Sequence, residues 1–379
     1  MRFKLVGEPE RSRATILAVV AVISVLIATL YPFNPHPPNR VSWVKGARSL
    51  NFDKAGLVLS RGSLRLAPAV GTPCTLELFV RPAEALSAST ILGFYSPHRE
   101  KQLLVGQYYG NGLMITHEPG VESDQTGTVE IDVAHIFRPG VPVFISISSG
   151  ANGTTVFTDG NQRARFPKFT ISQDDILGQT VIGTSPVGYD PWRGELRGLA
   201  IYGRELSSDD ALQHFRRWIQ PDGDIPDLRN SISAYAFAEG AGREVRNEVA
   251  FSPDLYIPKN FKVPHKSFLQ SPAKEFKADQ SYVRDVLINV AGFLPLGLIL
   301  CAFFTWTRDR RNAILGAVMA CAILSLLIEM LQYYIPPRGS GITDVITNTL
   351  GAAVGASLMQ SGGVRQALRH LKVISLDAS

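Results

Sequence analysis

The chain has 379 residues with 38 Lys and Arg against 33 Asp and Glu, enough for one membrane unit and one large globular domain. Its net charge of +5 does not mark a nucleic-acid partner, because residues 34–283 hold 26 basic and 26 acidic residues and are neutral. The excess flanks apolar segments, at Arg2, Lys4, Arg11 and Arg13, at Arg308, Arg310 and Arg311, and at Arg365, Arg369 and Lys372, which is the bias that keeps loops cytoplasmic.

Cys301 and Cys321 fall in apolar segments and Cys74 alone in the large polar region, so no disulfide is expected there. The seven His lack metal-ligand spacing. A phosphate loop, a dinucleotide fingerprint, a serine nucleophile elbow and a zinc motif are all missing from the sequence. No cofactor and no metal are therefore expected.

Residues 1–13 read as a cytoplasmic N-terminus and 14–33 as a first transmembrane helix. The uncharged run ATILAVVAVISVLIATLY is long enough to cross a bilayer, and Tyr31, Pro32 and Phe33 end it in an aromatic interface. A cleaved signal peptide is the alternative, but a small-x-small site is lacking before LYPFNP. In both cases the following chain lies outside the cytoplasm.

Residues 40–249 read as an extracytoplasmic β-sandwich. Short apolar runs such as TLELFVRP, STILGFYS, LLVGQYY, TVEIDVA and VPVFISISS are broken by Gly, Pro, Asn and Asp, a pattern of strands and turns. TTVFTDGNQRARF predicts a hairpin about Asp159–Gly160. Ser207 is placed to cap a helix after a strand ending at Tyr202.

The segment WRGELRGLAIYGRELSSDDALQHFRRW resembles the closing segment of concanavalin A-like (laminin G-type) domains. AYAFAEGAGREVRN, residues 234–247, resembles an element found near the start of such domains, which leaves a permuted edge or a separate capping piece open. The resemblance implies glycan binding on a sheet, with Tyr108, Tyr109, Tyr189 and Trp192 as candidates to stack on sugar rings; a core or edge role competes for each. EIDVAH, residues 130–135, resembles the catalytic strand of β-glucanases, but His135 stands where the second acid belongs. Glu130 and Asp132 are better explained by an ordinary amphipathic strand.

Residues 250–282, with Pro253, Pro258, Pro264 and Pro272, read as a linker back to the membrane. Three further spans follow, at about 284–304, 312–334 and 343–360 within a membrane domain over 283–362, and 363–379 is a cytoplasmic tail. Asp285 and Asn289 open the first of these spans, Glu329 and Gln332 close the second, and Asp344 and Asn348 open the third, with Arg338 in the loop before it. These spacings of three and four put each pair on one helix face. Polar groups at membrane depth are costly and usually face a protein interior or cavity, so the seven residues form a candidate polar site. Capping and snorkelling explain Asp285 and Asp344 well, Glu329 and Asn348 poorly. Arg338 is the expected cation for Glu329 or Asp344.

The pattern D-x3-N-x2-GF-x-PLG, E-x2-Q and R-x5-D-x3-N-x2-G, running from Asp285 through Gly297 and Glu329 to Gly351, resembles the VanZ-like family of small bacterial membrane proteins. The resemblance covers about 280–362, with the first helix ending in Tyr-Pro-Phe as a further likeness. It implies residence in the bacterial cytoplasmic membrane and an association with glycopeptide resistance. The expected architecture is mixed: a four-helix transmembrane unit with an all-β concanavalin A-like sandwich inserted after the first helix. Two functions stay open, with a purely structural assembly factor as a third possibility. One is holding an envelope glycan, cell-wall material or a lipid-linked precursor, with the bilayer as partner and no nucleic acid. The other is acid/base chemistry on a lipid-linked glycan.

Overall fold

The computed structural model describes residues 8–64, 72–84, 87–97, 99–109, 111–118, 129–220, 225–276 and 280–370. Two compact units result, Met1–Pro35 with Ser267–Ser379, and His36–Lys266.

The second unit contains β1 (Val41–Trp43), β2 (Leu50–Phe52), β3 (Val58–Leu64), β4 (Cys74–Pro82), β5 (Ser89–Ser96), β6 (Arg99–Tyr108), β7 (Gly112–His117) and β8 (Val129–Val133). It continues with β9 (Val143–Gly150), β10 (Gly153–Thr158), β11 (Asn161–Phe166), β12 (Gly178–Ile182), β13 (Gly194–Tyr202), β14 (Ser231–Tyr235), β15 (Glu244–Val245) and β16 (Leu255–Tyr256). One sheet runs β1-β2-β13-β4-β9-β10-β11 with β14 paired to β13, and the other runs β15-β16-β3-β12-β5-β6-β7-β8. Neighbours are antiparallel in both. The unit is a two-sheet sandwich.

Strand alternation explains how its core is built. In β4, Cys74, Leu76, Leu78 and Val80 enter the main core together with Val143, Ile145 and Ile147 of β9 and Leu196, Leu199 and Ile201 of β13. The opposite side of this sheet is also apolar, with Phe144, Ala200, Tyr202 and Ala234 packed against Trp218. The covering element is helix α2 (Ser208–Trp218), which follows α1 (Glu8–Leu30) in chain order. Ser207 caps α2 as expected: its hydroxyl accepts from the Asp210 amide at 3.2 Å, and Asp210 answers to the Ser207 amide at 3.0 Å. Because both faces of β9 are covered, all eight of its residues are buried, and its sequence reads as a continuous run instead of a clean alternation. The β10–β11 hairpin turns at Asp159 and Gly160, both at positive φ, with Thr158 opposite Asn161.

Segment 234–247 belongs to the body of the sandwich: β14 joins one sheet, and β15 reaches the other through β16. The linker expected over 250–282 is corrected by the same strands. β16 pairs with β3, Ile257 enters the main core, and Phe261 packs with Leu57, Leu59 and Val181 on the outer side of the second sheet. Four prolines exclude long elements but not a two-residue strand with buried apolar anchors on either side.

One buried charge ties α2 to its sheet. Glu77, 1% exposed, accepts hydrogen bonds from Tyr202 Oη at 3.1 Å and Trp218 Nε1 at 2.9 Å, and lies 2.8 Å from His214 Nδ1. A carboxylate survives such burial only when its lone pairs are met this way. Glu77→Ala leaves three polar side chains without their common acceptor and should cost about 3–5 kcal/mol, read as a fall in the unfolding free energy of the full chain. Glu77→Gln should recover part of that loss.

The first unit holds α1 and, after a short α3 (Pro272–Glu275), three long helices: α4 (Gln280–Phe304), α5 (Arg310–Tyr333) and α6 (Ile342–Ser357), with α7 (Gly362–His370) at the end. Arg11–Leu30, Gln280–Phe304, Arg310–Tyr333 and Ile342–Gln360 are long and apolar enough to cross a membrane. Ala14 and Ala18 of α1 share a core with Leu296, Leu300, Ala317, Cys321 and Ala352 of the later helices. α4 and α6 approach closely because glycine faces backbone: a Cβ at Gly351 or Gly355 would overlap the Val290 or Leu294 carbonyl, and one at Gly297 the Ala352 carbonyl. This is the small-residue packing that membrane helices use. Pro295 sits inside α4, which continues through it.

Candidate functional site

The polar residues of the membrane unit gather about the start of α6. A helix leaves its first amides without intrahelical acceptors, and in an apolar bundle water cannot supply them. The N-cap is Gly341, which has no side chain to help. Two carboxylates from other helices supply the acceptors. Glu329 of α5, 2% exposed, accepts from the Gly341 amide at 2.9 Å. Glu275 of α3 accepts from the Thr343 amide at 3.0 Å. The helix dipole favours negative charge at this end. Ser340 Oγ donates to the Glu329 carbonyl at 2.9 Å, which fixes the loop before α6.

Asp344 follows in the first turn of α6, and Asn289 Nδ2 of α4 donates to its carboxylate at 2.7 Å. Glu275 and Asp285 both lie within electrostatic reach of Asp344. One turn deeper, Asn348 Nδ2 donates to Ser325 Oγ of α5 at 2.9 Å, while Asn348 Oδ1 is buried with no partner in the described residues. The Thr343 hydroxyl is likewise buried, with no partner among the described residues.

Of the seven residues singled out from the sequence, Asn289 and Asp344 bond directly. Glu329 joins them through the α6 backbone, and Asn348 lies one turn below Asp344. Gln332 takes another role, since Nε2 donates to the Thr29 carbonyl of α1 at 2.9 Å. The expected pairing of Arg338 with Glu329 or Asp344 is corrected. Arg338 Nη2 donates to the Tyr31 carbonyl at 2.6 Å, where it satisfies a carbonyl just past the end of α1. Asp285 is also corrected as an inward group: its side chain is 63% exposed and lies 3.8 Å from the neighbouring Arg284. Glu275 was missed. Its only signal is one of three acids in the Pro- and Lys-rich stretch read as linker, and nothing local points it at a helix that begins 67 residues later.

In the sandwich, Tyr108 and Tyr109 are exposed and meet edge to face with ring centroids 5.6 Å apart. Tyr189 is exposed and stands edge-on to Phe261 at 5.7 Å. Trp192 is corrected as a sugar-stacking candidate. It is 0% exposed and packs on Phe52, 5.7 Å away, inside the core. Glu130 and Asp132 lie on the exposed side of the edge strand β8. Partial burial, and then the Asp132 charge, hold the Glu130 carboxyl above the usual carboxylate range. Asp190 is held by Thr90 Oγ1 at 2.6 Å, Thr184 Oγ1 at 3.2 Å and the Ser185 amide at 2.6 Å, the set of a loop anchor. Among the described residues, no group of three or more His, Cys, Asp or Glu is placed to hold a metal ion.

Comparison with known proteins addresses the membrane part first. Residues 233–362 match the VanZ/LLP1 family model. The chain carries a VanZ-like domain. A VanZ protein of Enterococcus faecium is 35% identical over 75 residues, 20% of this chain and 44% of that protein. The chain thus spans less than half the length of this curated relative. The VanZ-like match begins within β14 of the sandwich and ends at the start of α7.

Solved structures similar to the chain include a botulinum neurotoxin DC binding domain in complex with rat synaptotagmin II, with a TM-score of 0.35 at 12% identity, covering 48% of this chain and 46% of that one. Another is the carbohydrate-binding module CBM40 of the Ruminococcus gnavus IT-sialidase bound to α2,3-sialyllactose, with a TM-score of 0.31 at 13% identity, covering 38% and 82%. At such scores these likenesses carry no functional argument.

Glu275→Gln tests the assignment of the α6 cap. It keeps the shape but halves the acceptor capacity and removes the charge facing the helix dipole, so it should cost about 0.5–2 kcal/mol. The loss should appear as a lower melting midpoint of the detergent-solubilised chain and faster amide exchange at Thr343. Unchanged exchange there would contradict the cap.

Proposed function

We propose that this VanZ-like protein works in the bacterial cytoplasmic membrane, gripping the polar head of an amphiphilic partner with its helical unit. Both termini are cytoplasmic in this reading and the sandwich is extracytoplasmic. The basic flanks of the four apolar helices support that orientation. The observation that carries the grip is the set of acids and amides about the α6 N-terminus, where Asn289 bonds Asp344 and Glu275 lies within electrostatic reach. Ionisable groups kept at such depth are expected to serve a site.

The sandwich is the recognition module for an envelope glycan or envelope protein, with Tyr108, Tyr109 and Tyr189 as its exposed aromatics. Its strand β13 followed by the capped α2 supports a concanavalin A-like or laminin G-type classification. The process served is cell-envelope polysaccharide or cell-wall handling, including glycopeptide resistance.

Acid/base chemistry on a lipid-linked glycan is the second reading. It is favoured by the placing of Asp344 near two other carboxylates, an arrangement that can separate the roles of proton donor and acceptor. The two readings differ in product. Cells producing the full chain or Asp344→Asn at matched membrane level should be compared for lipid-linked precursors and for glycopeptide tolerance. The binding reading expects Asp344→Asn to lose the tolerance conferred by the wild type while the precursors keep their structure. A precursor chemically altered by the wild type and not by the variant would establish the enzyme instead.

A further inference from the structure

The groups about the α6 N-terminus share one chemical property. Those not consumed by the fold can all accept. Among the described residues, Asp344 receives one bond on its carboxylate, from Asn289 on one oxygen. Glu275 spends one oxygen on the Thr343 amide. Asn348 is more than nine-tenths buried, uses its amide nitrogen on Ser325, and leaves Oδ1 without a donor. It lies four residues after Asp344, on the same face of α6 and one turn deeper. The Thr343 hydroxyl, also nine-tenths buried, has no partner among the described residues and can accept.

Charge points the same way. Glu275 and Asp285 both lie within electrostatic reach of Asp344, and the described residues place no Lys or Arg in ion-pair contact with Glu275 or Asp344. The cation expected there, Arg338, is spent on the Tyr31 carbonyl. A buried acceptor without a donor destabilises the fold, and like charges brought together disfavour one another. Both costs vanish together when a group arrives that is positive and carries several N–H donors. A primary ammonium has that description, with three donors and no acceptor. A quaternary ammonium has the charge without the donors, and a phosphate or carboxylate has the wrong sign.

We infer that the polar site of the membrane unit takes a primary ammonium group, held by Asp344 and Glu275 and reached from below by Asn348 Oδ1. The inference rests on the headgroup reading above and names its chemistry. The amine can come from the head of an aminophospholipid or from a soluble amino sugar, and the two are separable.

The test uses the full chain in nanodiscs of mixed phosphatidylethanolamine and phosphatidylcholine, with retained lipid read by native mass spectrometry after delipidation. These heads differ in N–H donors and not in charge. The wild type should retain phosphatidylethanolamine about tenfold over phosphatidylcholine, the scale of a hydrogen bond to a charged group. Asp344→Asn and Glu275→Gln should each bring that ratio close to one. Displacement of the retained lipid by glucosamine, but not by N-acetylglucosamine, assigns the site to a soluble amine. Retention that glucosamine leaves untouched assigns it to the lipid head.

Equal retention of the two lipids by the wild type, with glucosamine inert, overturns the amine. If lipid is then still held by the wild type and lost from Asp344→Asn, the headgroup reading stands without it. If wild type and variant hold none, both fall. The wild-type ratio needs no variant, so a poorly folding substitution does not blunt the test.

Discussion

The membrane unit depends on one constraint: the first amides of α6 must find acceptors although the N-cap offers no capping side chain. Gly341 at the N-cap brings no oxygen of its own. Glu329 and Glu275 answer from two other helices, so the start of α6 is stitched to α5 and α3 by charge-assisted bonds. A Cβ at position 341 would fall on the Glu275 carboxylate and displace it, so the glycine leaves room for that acceptor. Farther down, Gly351 and Gly355 bring α6 against the backbone of α4. That close approach sets Asn289 beside Asp344. Packing and polar site are therefore one device, in which glycine permits the contact and acids and amides exploit it.

The sandwich solves the opposite problem, a polar group below an apolar cover. α2 lies across the outer side of one sheet and brings Trp218 and His214 down on Glu77, where Tyr202 also arrives. The segment about Phe261 covers part of the other sheet. Covering both outer sides leaves few strand positions to face water, which is why exposed aromatics are confined to places such as Tyr108 and Tyr109 on the β6 edge of the β6–β7 turn.

Much of this was legible in the sequence because it rests on local or repetitive signals. Apolar runs of membrane length set the four spans to within a few residues, and short apolar runs broken by turn residues pointed to a sandwich. Ser207 and Asp159–Gly160 announced a cap and a hairpin through chemistry confined to four residues. What was hidden depends on partners distant in the chain. Trp192 follows a turn-rich stretch that reads as exposed, yet Phe52, 140 residues earlier, draws it into the core. Segment 255–261 contributes only two paired residues and two apolar anchors, too little to outweigh its prolines. Glu275 looks like linker until α6 is built beside it. Arg338 was assigned to the nearest acids in sequence, whereas its hydrogen bond is to a carbonyl at the far end of the chain.

The distribution of tasks among the acids bears on mechanism. Glu329 accepts from the Gly341 amide deep in the bundle. Such a bond ties the start of α6 to α5 and so serves the fold. Glu275 is half engaged in the same way. Asp344 is bonded by a neutral amide from another helix and keeps an oxygen turned to neither backbone nor cation among the described residues. Asp344 and Glu275 each spend one carboxylate oxygen on a neutral N–H donor among the described residues. One turn below Asp344 lies the buried amide oxygen of Asn348. Glu329 thus serves the backbone at the start of α6, while the remaining acceptor capacity of the cluster rests with Asp344, Glu275 and Asn348.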